Sequence, residues 1–232
     1  MMRQIVGAAC GLWMACAPAA QAERVVVVEL FTSQGCSSCP SADAFLETLA
    51  EDPRVIPLAL HVDYWDYIGW EDTFAQPKFT ERQKSYARAI GSRTIYTPQM
   101  IVSGVDRVEG HVPDEVTAFI AERLAGTSPV TLVVERQGDS LLIRAEADPP
   151  LTAPVRVQLV RYRPEETVAI ERGENAGKVV TYRNIVTSWE SLGDWPGTAP
   201  LELAAPAPGA DPAVVILQEQ GPAAILAAAR SD

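Results

Sequence analysis

The sequence predicts an α/β unit followed by a mainly-β, sandwich-like segment, and three observations carry that reading. Arg24-Val-Val-Val-Val-Glu-Leu-Phe31 is an uninterrupted, β-branched run, the pattern of a strand buried on both faces. Apolar stripes of helical period alternate with such runs as far as residue 126. After Gly126 helical periodicity fades, and eleven of the 18 prolines lie beyond that residue, punctuating short alternating segments.

The elements follow in order. Thr32 to Gly35 form a loop, and Cys36 leads into a helix whose Ala42, Phe45, Leu46, Leu49 and Ala50 make one apolar stripe. Pro40 is tolerated there because a first-turn N–H has no intrahelical partner. Val55 to Val62 reads as a second, parallel strand, and an aromatic loop, Asp63-Tyr-Trp-Asp-Tyr-Ile-Gly-Trp70, leaves its carboxyl end. Pro77 to Ile90 is a second helix stopped by Gly91. Gln99–Ser103 and Val105–Glu109 form a hairpin, and Val112 to Ala125 is a third helix. This β-α-β-α-β-β-α unit is assigned to residues 23–126. Residues 127–232 form the β-rich domain, with strands at Val130–Glu135, Ser140–Ala147, Val155–Arg163, Thr167–Arg172, Val179–Trp189 and Ala213–Gln218. Ala223 to Arg230 fits a strand or a short helix.

Composition narrows the function. A chain of 232 residues, 47% hydrophobic and 21% charged, builds real cores and excludes a disordered, collagenous or coiled-coil protein. With 19 Lys+Arg against 30 Asp+Glu and a net charge of −11, it has no basic cluster to displace counterions, so nucleic acid is not an expected partner. Residues 1–22 have the pattern of a secretory signal peptide: Arg3, an apolar run from Ile5 to Ala17, and Ala20-Gln21-Ala22 at the cleavage site. The apolar run is shorter than the roughly 20 residues a spanning helix needs. A lipid anchor at Cys16 is a weaker rival, because Trp13-Met14-Ala15 is a poor acceptor sequence. The expected product is periplasmic or secreted, without a membrane span, and retains two of the four cysteines, Cys36 and Cys39.

Those two stand as Cys-Ser-Ser-Cys. At a helix start, unpaired N–H groups and the dipole favour the Cys36 thiolate. A thiol of ordinary pKa, about 8.5, is only about 3% ionised at pH 7, and a lower pKa makes it a nucleophile. Cys39, one helical turn on, is placed to resolve the mixed disulfide. The bland alternative is a structural staple, but so short a ring contributes only roughly 2 kcal/mol. A lone C-x-x-C in a βαβ context favours redox or metal chemistry.

A strand, C-x-x-C at a helix start, a second strand and Tyr96-Thr97-Pro98 before a hairpin together resemble the thioredoxin fold. That resemblance implies a cis-proline at Pro98 opposite the dithiol, with Thr97 offering its backbone to an extended substrate. A finer resemblance is to a secreted, thioredoxin-like bacterial family catalogued as a domain of unknown function, with a CxxCP motif and a carboxyl-terminal β-rich domain. It rests on Glu29-Leu-Phe-Thr-Ser-Gln-Gly-Cys-Ser-Ser-Cys-Pro40, His61-Val-Asp-Tyr-Trp-Asp-Tyr-Ile-Gly-Trp-Glu-Asp72, Gly173-Glu-Asn-Ala-Gly177 and Arg183-Asn184. The resemblance implies a fold and a compartment, and no substrate.

This sequence departs from thioredoxin in its Ser-Ser dipeptide and in lacking a tryptophan before Cys36. The resolving cysteine's buried carboxylate falls at Leu30, so Glu29 takes that role if the Ser33-Gln34-Gly35 loop carries an extra residue. Without one, strand alternation points Glu29 to the opposite face. His61 and His111 with the two cysteines make a nominal Cys2His2 set, suited to Zn2+ or, through the thiolates, Cu(I). Asp63, Trp65, Asp66 and Trp70 follow the edge where α/β sheets bind ligands. They read either as a wall of a substrate groove or, the favoured reading, as a packed loop covering helix ends; Gly173–Gly177 reads as a turn. The leading expectation is an exported thiol–disulfide oxidoreductase that needs no cofactor and acts on a protein thiol or disulfide, Cys36 attacking and Cys39 resolving. The alternatives are a Cu(I)-handling module using the same thiols and a non-catalytic interaction protein on the same scaffold.

Overall fold

The structure, a computed structural model, describes residues 24–110 and 112–231. Residues 1–22, read above as a signal peptide, lie outside the described residues with Cys10 and Cys16, as does His111. The elements run β1 (Val26–Thr32), α1 (Pro40–Leu49), β2 (Val55–His61), a 3-10 turn at Asp66–Ile68, α2 (Pro77–Ala89), β3 (Gln99–Val102), β4 (Asp106–Glu109) and α3 (Pro113–Ala125). The strands β5 (Val130–Gln137), β6 (Ser140–Ala147), β7 (Val155–Ala169), β8 (Val179–Trp195), β9 (Leu201–Pro206), β10 (Ala213–Glu219) and β11 (Ile225–Arg230) complete the chain.

The expected thioredoxin-like α/β domain followed by a β-sandwich domain is not what forms. The protein is mostly β, with one mixed eight-stranded sheet in the order β11-β10-β7-β8-β2-β1-β3-β4 and a three-stranded sheet β5-β6-β9. β8 is the reason. It runs parallel to β2, Ala59 opposite Ile185, so strands from beyond residue 126 extend the sheet that β1 and β2 begin. Asn184 secures the seam by donating from Nδ2 to the Pro57 carbonyl (2.8 Å). Local alternation identifies a strand without naming its neighbour, which is why a strand-rich second half reads as a separate body. The sequence pattern does not predict β9, because Leu201–Pro206 is a short edge strand with modest burial.

Strand alternation divides the core into layers. Val26, Val28 and Leu30 of β1 pack with Ala42 and Leu46 of α1 and Val116 and Ile120 of α3. Val27 and Phe31 face the other way, toward Tyr86 of α2 and toward Val160, Val214 and Ile216 of the later strands. The small sheet covers the outer side of β7 and β10, where Leu141 and Ile143 meet Val157, Val215 and Leu217.

Glu29 shares the Val27 side and is fully buried. Its carboxylate accepts from Arg82 Nε (2.6 Å) and Nη2 (2.9 Å) and from the Tyr86 hydroxyl (2.5 Å). Gln218 of β10 extends the network, donating from Nε2 to Tyr86 Oη and accepting from Gln158 Nε2 of β7. Arg82 also lies 3.7 Å from the centroid of Trp189 on β8. Polar and charged groups thus stitch the amino-terminal strands to the later ones. Removing one partner of a buried ion pair leaves the other uncompensated, so Glu29→Ala is expected to lower unfolding free energy by about 3–5 kcal/mol in urea titrations.

Candidate functional site

Cys36 and Cys39 form a disulfide with a Cα–Cα distance of 5.4 Å. The chain leaves β1 at Thr32 and turns, with Cys36 N–H bonded to the Ser33 carbonyl. Helix α1 begins later than its sequence pattern implies: Cys39 is the N-cap and Pro40 the first helical residue. Cys36 therefore lies in the turn before the helix, and the free N–H end of α1 is at Cys39. Ser37 and Ser38 are exposed, whereas both cysteines have 0% exposure. The reachable Cys36 of the sequence expectation is absent in this disulfide form. Ser38 Oγ lies 3.4 Å from Cys36 Sγ, and its hydroxyl is the donor because a disulfide sulfur has no proton.

Two segments hold the cysteine loop, the aromatic loop after β2 and the β7–β8 turn. Gln34 N–H donates to Asp72 Oδ2 (2.8 Å), and Gln34 Oε1 accepts from Trp70 Nε1 (2.8 Å). Trp65 Nε1 donates to Thr97 Oγ1 (2.7 Å), while Asp66 accepts from Asp72 N–H and Asp63 from Thr80. The aromatic loop is thus pinned by side-chain bonds along most of its length, with Tyr67 left exposed. The second segment is the β7–β8 turn: Asn175 Nδ2 donates to the carbonyls of both Gln34 and Cys36, each at 2.9 Å.

The Thr97–Pro98 peptide bond is cis. Gly110 seats this proline against α1, since a Cβ there would stand 2.8 Å from Pro98 Cβ and 3.0 Å from Ala42 Cβ. Cys36, Cys39, Thr97 and Pro98 therefore belong to one neighbourhood. Glu29 does not, because strand alternation turns it to the α2 side and into the Arg82 network.

The carboxylate near the cysteines is Asp43, which sequence analysis did not single out. It is 5% exposed, its N–H bonds the Cys39 carbonyl (3.0 Å), and its Oδ1 accepts from Thr32 Oγ1 (2.8 Å). It follows the N-cap Cys39 by one helical turn, and both residues are buried. Burial raises its pKa to about 7, opposed by His61 and the Thr32 hydroxyl and reinforced by Asp72. Its signal in the sequence was an acidic residue among the apolar positions of α1, four after Cys39 and three before Leu46. His61, paired with Thr32 across β1–β2, donates from Nδ1 to Asp72 Oδ2 (2.7 Å). Burial works against the Asp72 carboxylate, but His61 and the N–H groups of Gln34 and Phe74 hold its pKa below the usual range. Burial, then Asp43 and Asp72, pushes the Tyr182 phenol up. Asp43 Oδ2, His61 Nε2 and Tyr182 Oη are all buried without a protein partner. These groups make a buried, polar, proton-holding cluster around Asp43, one turn of chain after Cys39.

Among the described residues, no group of three His, Cys, Asp or Glu is arranged to hold a metal ion. Of the nominal Cys2His2 set, the thiols are joined to each other and His61 is engaged by Asp72. No described helix is long and apolar enough to cross a membrane.

The family described as protein of unknown function (DUF1223) matches residues 27–218. The chain belongs to that family. The DUF1223 chain is also similar to a crystal structure of an Agrobacterium tumefaciens protein, at 35% identity and a TM-score of 0.75, over 90% of this chain and 95% of that one. A second solved structure, HBP35 of Porphyromonas gingivalis, shares the fold at 14% identity and a TM-score of 0.64, over 90% and 75% of the two chains. No curated protein matches.

A carboxyl group that stays protonated longer in the folded state binds more protons there than in the unfolded chain. Its contribution to stability therefore falls as pH rises from about 4 to about 7. Asp43→Asn is expected to remove that fall and to gain up to about 4 kcal/mol relative to wild type by pH 8, read from urea unfolding at each pH.

Proposed function

We propose that this DUF1223 protein is an exported thiol–disulfide exchange protein working through Cys36 and Cys39. The observation that carries the reading is the disulfide's placement: a short ring ending at a helix N-cap, with a buried carboxyl group of raised pKa one turn on. The residues 1–22 pattern supplies the compartment, where disulfides persist.

A thiolate of a reduced protein substrate attacks Cys36 Sγ, a substrate–Cys36 disulfide forms, and the Cys36–Cys39 bond breaks. Cys39 leaves as a thiolate and takes the proton of the Asp43 carboxyl group. The substrate's second thiolate then displaces Cys36, so the substrate is oxidised by two electrons and the protein holds two reduced cysteines. In the reverse direction Asp43 accepts the Cys39 proton as Cys39 resolves the mixed disulfide. His61 and Asp72 keep charge near Asp43 in balance, and Thr97 beside Pro98 offers backbone to the substrate. Both directions use the same groups.

A second reading has its own observation: neither cysteine exposes surface, as in an inert disulfide of an interaction scaffold. Trapping separates the two. Cys39→Ser, expressed in an exporting bacterium, should accumulate discrete mixed disulfides on diagonal nonreducing gels, and these should vanish when Cys36 is also replaced. Their absence at wild-type abundance refutes exchange and leaves the scaffold. With trapping substrates in hand, Asp43→Asn should slow resolution of the mixed disulfide by about 100-fold and remove the inflection near pH 7. Glu29→Gln, on the other face of β1, should leave that pH profile unchanged.

A further inference from the structure

We propose that the tip of the β7–β8 hairpin is an autoinhibitory strap, in which the Asn175 carboxamide occupies the backbone-binding position that an extended polypeptide takes beside the disulfide. The strap rests on the exchange reading for its purpose but not for its test. Asn175 is 1% exposed although it lies at the end of a turn whose other residues are largely exposed. A carboxamide is chemically a peptide group, and this one donates both its N–H bonds to main-chain carbonyls, those of Gln34 and Cys36. On this proposal those two carbonyls, one residue either side of Gly35, are the acceptors offered to the backbone of an incoming polypeptide. With the tip in place these carbonyls are satisfied; with the tip lifted they are vacant beside Cys36.

The hairpin is built to release as a unit. Its turn closes on itself through Gly177 N–H to the Ile170 carbonyl (2.8 Å), Ile170 N–H to the Lys178 carbonyl (2.9 Å) and Ala176 N–H to the Gly173 carbonyl (3.2 Å), so it keeps its shape when it leaves the cysteine loop. Gly173 and Gly177 take φ of 77° and 83°, the left-handed region where a side chain is strained. Lys178 Nζ donates to Asn175 Oδ1 (2.8 Å) and aims the carboxamide. At the strap's base, Arg183 bonds Glu47 of α1 and Glu165 of β7, both exposed contacts that salt weakens. The tip meets the cysteine loop through the Asn175 bonds, and Gly173 lies against Trp70 and Ile68 of the aromatic loop. The buried packing of Tyr182 on Phe74 and His61 stays with the base. So limited a contact is the kind that opens locally below the global unfolding free energy.

The test is reduction of the Cys36–Cys39 bond by dithiothreitol, quenched with a thiol-blocking reagent and counted by mass, in the full chain. Asn175→Ala, shown folded by circular dichroism and cooperative unfolding, should be reduced about tenfold faster than wild type, the effect of losing the latch bonds. A wild-type rate in the folded variant overturns the strap. In wild type itself, the urea dependence of the reduction rate should be a small fraction of the equilibrium unfolding m value, because only the tip must lift. A dependence equal to the full m value means that the bond is reached by global unfolding, which also overturns the strap. A cysteine-containing peptide should form a mixed disulfide with Asn175→Ala faster than the same peptide N-methylated at its flanking amides; equal rates overturn the backbone-mimic role. Fast reduction of Asn175→Ala, with no trapped substrates for Cys39→Ser, would retain the strap and reject the exchange reading. Trapped substrates with a wild-type reduction rate for Asn175→Ala would do the reverse.

Discussion

The parallel contact of β8 with β2 is the constraint on which the rest of the molecule depends. It joins the amino-terminal strands to the long β7–β8 hairpin at Ala59 and Ile185, and so makes one eight-stranded sheet from segments that are remote in sequence. The same hairpin continues past the sheet, and its turn reaches the loop that carries the cysteines. Fold and site are therefore coupled: whatever fixes β8 on β2 also fixes where Asn175 falls. The seam is secured by polar bonds on both sides, Asn184 to the Pro57 carbonyl and Gln76 Nε2 to the Thr187 carbonyl.

Polar groups are buried on both sides of β1, in two different chemical states. Glu29 on one side is matched by Arg82 and Tyr86, every strong acceptor in use, and functions as a rivet. Asp43 on the other side has one oxygen on Thr32 and one without a protein partner, next to His61 and Tyr182, which also carry unpartnered buried atoms. A satisfied network rigidifies, whereas an under-satisfied one stores the capacity to gain or lose protons. The two carboxyl groups are close in sequence to the same motif, and only their faces distinguish them.

Much of the chemistry was legible locally. The Cys-Ser-Ser-Cys spacing named the pair that forms the disulfide, and the sequence ranges of β6, α2 and the β3–β4 hairpin agree with the structure to within a residue or two. Glu29 shows the limit of such reading. Its nearness to the motif suggested a role beside the thiols, but the strand's two-residue period turns it away. Asp43 was recoverable in principle, as an acidic side chain at core spacing on α1. Asn175 was not, because Gly173-Glu-Asn-Ala-Gly177 satisfies the rules of any glycine-bounded turn.

Local elements, the acidic character of the chain and the two thiols three residues apart are all written in the order of residues, because period, capping, charge and spacing act over a single turn or strand. Only the assembled fold sets the later strands in one sheet with β1 and β2, turns Glu29 and Asp43 to opposite faces, and brings a turn about 140 residues downstream onto the backbone of the cysteine loop. Strand pairing and burial join residues without regard to their separation along the chain, and local patterns contain no record of the partner.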